Sequence, residues 1–81
     1  MSPLGKQKRN AMTIDEFMAG VAPKMRPGYV AMNKDGRWFY FTYEPRIIGI
    51  LWWENDYETS LSMFDIAPVD DWKKSKRKVG K

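Results

Sequence analysis

Apolar positions near the start of the chain recur with a helical period. Within TIDEFMAGVA, residues 13–22, Ile14, Phe17, Met18 and Val21 fall at i, i+3, i+4 and i+7, which is one stripe of an amphipathic helix. Thr13 is placed to cap that helix, and Glu16 three residues on completes a capping box. Asp15 and Glu16 suit the positive helix N-terminus. Gly20 weakens the helix, and Pro23 is expected to end it near Ala22. Pro27-Gly28 then turns the chain.

Beyond this turn the pattern becomes that of strands. GYVAM (28–32), RWFYFTY (37–43), IIGILWW (47–53) and TSLSMFDI (59–66) are the four candidates. NKDG joins the first two, with Gly36 available for a left-handed position in a short hairpin loop. Pro45 closes the second, ENDYE is a polar turn, and connections this short favour an antiparallel meander. After APVDDW, Asp70 or Asp71 is placed to cap a short helix whose cations lie towards its C-terminal end. The expected fold class is α+β: a short N-terminal helix packed on a four-stranded antiparallel meander, followed by a basic C-terminal helix or tail. The expected domain plan is a disordered basic leader (1–12), one α+β domain (13–72) and a basic tail (73–81).

Five aromatic rings within RWFYFTY raise a difficulty, because strand side chains alternate between faces. Trp38, Tyr40 and Thr42 share one face; Arg37, Phe39, Phe41 and Tyr43 share the other. The 47–53 segment, read as one strand, is likewise apolar on both faces. A single ten-residue helix covers only one of them. Three arrangements would cover the second: a sheet closed into a small barrel, two copies packed face to face, or a pocket lined by rings. Oligomerisation is the expectation, since a chain of 81 residues has little left to wrap and gains stability by burying apolar area.

Composition narrows the chemistry. With no cysteine and no histidine, disulfides, thiolate or imidazole metal sites and Ser-His-Asp or Cys-His catalysis are excluded. No apolar run approaches the roughly 20 residues of a membrane span, and a soluble, cytoplasmic protein is expected. The net charge of +4 is unevenly placed: residues 10–72 hold five cations against all ten acids, −5 in balance, while both ends are basic. The body is therefore not a uniformly basic nucleic-acid face.

Arg37 and Arg46 flank the aromatic strand, with Lys24 and Arg26 ahead of the first strand. Arginine beside rings holds phosphates by bidentate hydrogen bonds and stacks on bases. Arg37, Arg46, Tyr43, Tyr40, Trp38 and Trp53 are accordingly the candidate ligand-binding residues, with Trp52 a further stacking ring. Each also has a plainer reading, a surface cation or a packed ring. Glu54, Asp56 and Glu58 are spaced to hold a hard cation, yet a solvated hairpin tip accounts for them, and no metal or cofactor is expected. The tail KKSKRKVGK carries six cations in nine residues and is suited to nucleic-acid phosphate.

VAMNKDGRWFYF, EPRI and APVDDWKKSKRKVG resemble segments of small uncharacterised proteins of tailed bacteriophages. In those, a strand ending in a D-G turn precedes an aromatic strand, and a D-W-x-x-S segment closes the chain. The resemblance spans about residues 13–80. It implies a phage context, in which some proteins are counter-defence factors that sequester the host's nucleotide immune signals, and others inhibit CRISPR enzymes or bind nucleic acid. It carries over no functional residue. The expected function is a non-catalytic, homo-oligomeric binding protein that sequesters a small phosphorylated nucleotide. The alternatives are a protein–protein inhibitor of a host defence complex, or a nucleic-acid-binding module using the basic termini.

Overall fold

The computed structural model describes residues 11–53 and 58–80. Helix α1 spans Ile14–Gly20 and has the expected start: Thr13 Oγ1 accepts from Glu16 N, and Glu16 Oε1 accepts from Thr13 N. Ile14 and Phe17 are buried, and Met18 and Val21 pack beside them. A 3-10 turn, Ala22–Lys24, carries the chain past Pro23, where the missing N–H interrupts α-helical bonding.

Six strands follow among the described residues: β1 (Gly28–Met32), β2 (Trp38–Phe41), β3 (Arg46–Ile48), β4 (Leu51–Trp53), β5 (Glu58–Ser60) and β6 (Arg77–Val79). Four form an antiparallel sheet in the order β5-β2-β1-β6; β3 and β4 form a separate two-stranded hairpin. The expected α+β class and four-stranded antiparallel sheet are present, but one of the four strands, β6, comes from elsewhere in the chain than expected, in place of the 47–53 segment.

The β1–β2 hairpin matches its sequence. Register runs from Tyr29↔Phe41 to Met32↔Trp38. Asn33 N donates to the Arg37 carbonyl and Gly36 N to the Asn33 carbonyl, with Gly36 at φ 90°, so the loop is a tight turn followed by a left-handed glycine. By contrast, residues 47–53 are not one long strand. Gly49, at φ 65°, takes the first central position of a two-residue turn between the paired residues Ile48 and Leu51. Glycine adopts this backbone without the Cβ clash other residues incur, and so the run folds back on itself. The fourth expected strand is strand only at Glu58–Ser60. Its remainder forms a 3-10 turn at Ser62–Phe64 and a bridge from Ile66 to Met12.

The basic C-terminal segment forms neither a regular α-helix nor a detached tail. Trp72–Lys74 is a 3-10 turn whose start is capped by Asp71, and Arg77–Val79 is β6. Register Gly28↔Val79 to Val30↔Arg77, continued two steps, sets Ser75 opposite Met32. Ser75 Oγ accepts from Met32 N at 2.8 Å and lies 2.7 Å from the Trp72 carbonyl, so a hydroxyl takes the place of a ladder bond. Ser75 and Val79 are each 1% exposed. The boundary expected at residue 73 therefore cuts through the fold.

The sheet has a core on both faces. Val30, Met32, Trp38 and Val79 pack with Ile14 and Phe17 of α1, and with Leu61 and Ile66. Phe17 meets Phe64 edge-on at 5.4 Å between centroids. On the opposite face, Ala31 and Phe41 pack against Trp52 of β4, with Tyr29, Phe39 and Trp72 beside them. The chain covers its second aromatic face with its own hairpin.

Candidate functional site

Four of the six candidate residues lie on or beside two surfaces, and the other two are held by the core. Trp38 belongs to neither as a free ring: it is 4% exposed, and its indole N–H reaches the Ala67 carbonyl at 3.3 Å. Tyr40 is half-buried, its hydroxyl donating to the Pro27 carbonyl at 3.0 Å. Both rings are held by the fold, which follows from their facing α1 on a central strand.

The first surface is the outer face of the β3–β4 hairpin. Arg46 pairs across strands with Trp53, Ile48 with Leu51, and Ile47 with Trp52. Residues directly opposite share a face. Trp52 and Ile47 turn towards the sheet, and Arg46, Trp53, Ile48 and Leu51 turn away. Ile48, Ile50, Leu51 and Trp53 are all exposed, as is Tyr43 just ahead of the hairpin. Arg46 and Trp53 are thus brought together, with Tyr43 three residues ahead of Arg46 in the chain, in company with aliphatic side chains from the run that the sequence pattern showed to be apolar on both faces.

The hairpin is fixed by its inner side. Trp52 N donates to the buried Asn33 Oδ1 at 2.8 Å, and the Trp52 indole N–H to the Trp72 carbonyl at 3.0 Å. Lys76 Nζ lies 5.6 Å from the centre of the Trp52 ring and pairs with Glu44. Asn33 is 6% exposed and escaped attention in the sequence, where it reads as an ordinary turn residue. Its side chain supplies the partner for an outward-facing strand N–H that the hairpin itself leaves open.

The second surface is a cleft of about 370 Å³ beside the β2–β5 pair. Trp38, Leu61 and Ile66 line its buried part; Arg37, Ser60, Ser62 and Asp65 line its exposed part. Arg37 is exposed and lies 3.6 Å from Asp35. Asp65 occupies the left-handed region at φ 48°, which Asp tolerates better than most residues, and its carbonyl accepts from Met12 N. Of the six candidate residues, the cleft brings together Arg37 and Trp38. Ser60, Ser62 and Asp65 carry no sequence signal beyond being polar and near a strand end.

Among the described residues, no cluster of three or more carboxylates is placed to hold a metal ion; Glu54 and Asp56 lie outside them. No helix among them is long and apolar enough to cross a membrane. Compared with protein-family models, with curated proteins and with solved structures, the chain matches none.

Proposed function

We propose that this chain is a non-catalytic binding protein that works by protein–protein contact, with the outer face of the β3–β4 hairpin as its contact surface. One observation carries the reading: Ile48 (50% exposed), Ile50 (61%), Leu51 (44%), Trp53 (39%) and Tyr43 (62%) cluster on and beside one small element. Together they offer on the order of 500 Å² of mostly apolar surface, the size of the largest patch on a typical monomer, which is often functional. Trp, Tyr and Arg are the residue types that dominate interface energetics, and Arg46 sits directly across from Trp53. The face is also presented in a fixed form, because Trp52 and Asn33 anchor its back. Preorganisation of this kind lowers the entropy lost on binding.

With no other partner supplied, such a face covers itself with a second copy. Two of them bury about 1,000 Å², the lower limit for a specific interface, so association in the micromolar range is expected. Light scattering from about 10 to 500 μM tests this. The weight-average mass should rise above 9.5 kDa for the natural chain and remain at 9.5 kDa for Leu51→Ser/Trp53→Ser. A 9.5 kDa species at every concentration of the natural chain would contradict the reading.

A second reading, capture of a small phosphorylated ligand, is supported by the cleft, whose volume lies within the range of small-molecule sites. Arg37 and two serine hydroxyls at its edge are suited to a phosphate group. Calorimetry against cyclic dinucleotides and ADP-ribose tests it: heat that disappears in Arg37→Ala supports the reading, and absence of heat across the panel removes it. Recovery of a hydrolysed ligand would make the protein an enzyme.

A further inference from the structure

The cations of the C-terminal segment line a structured edge. β6 is the outer strand of the four-stranded sheet, bonded to β1 on one side only. Lys73 and Lys74 lie in the turn before it, and Arg77 and Lys78 lie within it. At its far end Gly80 N donates to the Ala22 carbonyl, and Gly80 sits against the Arg26–Pro27 backbone. This places Lys24 and Arg26, some fifty residues earlier in the chain, at the end of the same edge. Five of the six side chains are exposed and Arg77 is partly so.

Among the described residues, none of these six charges is paired with a carboxylate. The ion pairs among the described residues are Arg37–Asp35 and Lys76–Glu44, neither of which involves the six. The Arg77 guanidinium donates to the carbonyls of Lys74 and Lys76 and keeps its charge. The nearest carboxylates in sequence are Asp70 and Asp71; Asp71 Oδ1 accepts from Lys73 N, and neither forms an ion pair with the six.

Charge on an edge strand has a plainer purpose, since Lys on an exposed edge discourages pairing with other chains. That purpose accounts for Lys78 and Arg77. It does not account for Lys24 and Arg26, which lie outside the strand and extend the row beyond its end. From Lys74 to Gly80 the edge runs about 20 Å, the span of about six phosphates along one strand of a duplex.

We propose that this edge binds the phosphate backbone of nucleic acid, without base specificity. No feature of the row reads base edges; it offers point charges spaced along the edge, with Arg77 and Lys78 leaving the strand on opposite faces. The site is separate from the hairpin face and from the cleft. Binding there releases counterions, so affinity falls with salt by about 0.9 in log K per phosphate neutralised.

Fluorescence anisotropy with labelled 20-nucleotide single-stranded and duplex DNA of unrelated sequences, from about 50 to 200 mM salt, tests the proposal. The natural chain should bind all of them alike, weakening about a hundredfold or more over that range. Lys73→Glu/Lys74→Glu/Lys78→Glu should reduce affinity more than tenfold and flatten the salt slope by about 3. Lys24→Glu/Arg26→Glu should also weaken binding, with circular dichroism confirming that both variants fold. Three results would overturn the proposal: no binding at about 50 mM salt, a Lys24/Arg26 variant that binds like the natural chain, or association with phosphatidylserine vesicles in place of DNA.

Discussion

Replacing Ser75 by Ala removes one oxygen from a position 1% exposed. In the native fold that oxygen accepts from Met32 N at 2.8 Å and, with a single proton to give, donates to the nearer of two carbonyls, Trp72 at 2.7 Å. The Trp72 carbonyl keeps the Trp52 indole N–H as a donor and loses little. Met32 N has no such alternative. It belongs to a strand with β2 on one side and the Ser75 hydroxyl on the other, in a position closed to water. A buried donor left unmade costs about 1–3 kcal/mol, and the small void adds to it, so a loss of about 2 kcal/mol is expected. Against a stability of roughly 4–12 kcal/mol for a domain of this length, that is a large fraction, and the melting temperature should fall by about 10 °C. Urea denaturation followed by tryptophan fluorescence gives the free energy, with exposed Ser62→Ala as a control expected to stay within about 0.5 kcal/mol. Amide exchange at Met32 should accelerate specifically. A Ser75→Ala protein within about 0.5 kcal/mol of the natural chain would refute the reasoning, since it would mean that the hydroxyl is not what satisfies this strand.

Three further perturbations probe the same architecture. Asn33→Ala removes the acceptor for Trp52 N and should cost about 1–3 kcal/mol, with loosening of the hairpin seen as increased acrylamide quenching of tryptophan fluorescence. Gly80→Ala places a Cβ 2.6 Å from Pro27 N at φ +73° and should destabilise by more than about 1 kcal/mol in thermal melts. Removing residues 73–81 takes away β6 and the buried Val79, and should leave a chain without a cooperative unfolding transition; a sharp transition would show that the sheet does not need this strand.

What was legible in the sequence was local. The α1 cap depends on Thr13 and Glu16 alone, and the β1–β2 turn on a glycine at the right place, so both could be read from a few neighbouring residues. The hairpin was hidden because Gly49 sits inside an unbroken apolar run. There the alternation of Ile47 to Trp53 fits one strand or two short ones equally well. The turn lacks the polar residues that usually announce one. β6 was hidden for a different reason. Val79 is its only buried residue, and cations around it read as a solvated end; the pairing with β1 and the Ser75 bond link positions 43 or more residues apart. The candidate residues follow the same division. Arg46 and Trp53 meet because the hairpin folds, while Trp38 and Tyr40 were drawn into the core by a helix whose position the strand pattern alone does not specify.

Whether Trp53 is the ring that makes contact can be measured directly. The chain contains four tryptophans, Trp38, Trp52, Trp53 and Trp72, and 5-fluorotryptophan labelling gives each a separate ¹⁹F resonance, assigned by single Trp→Phe variants. Raising the concentration from about 20 to 500 μM should move the Trp53 resonance progressively while Trp38, deep beneath α1, stays fixed. A Trp53 resonance that is independent of concentration while the mass of the particle rises would contradict the account, because the copies would then be meeting through some face other than the hairpin.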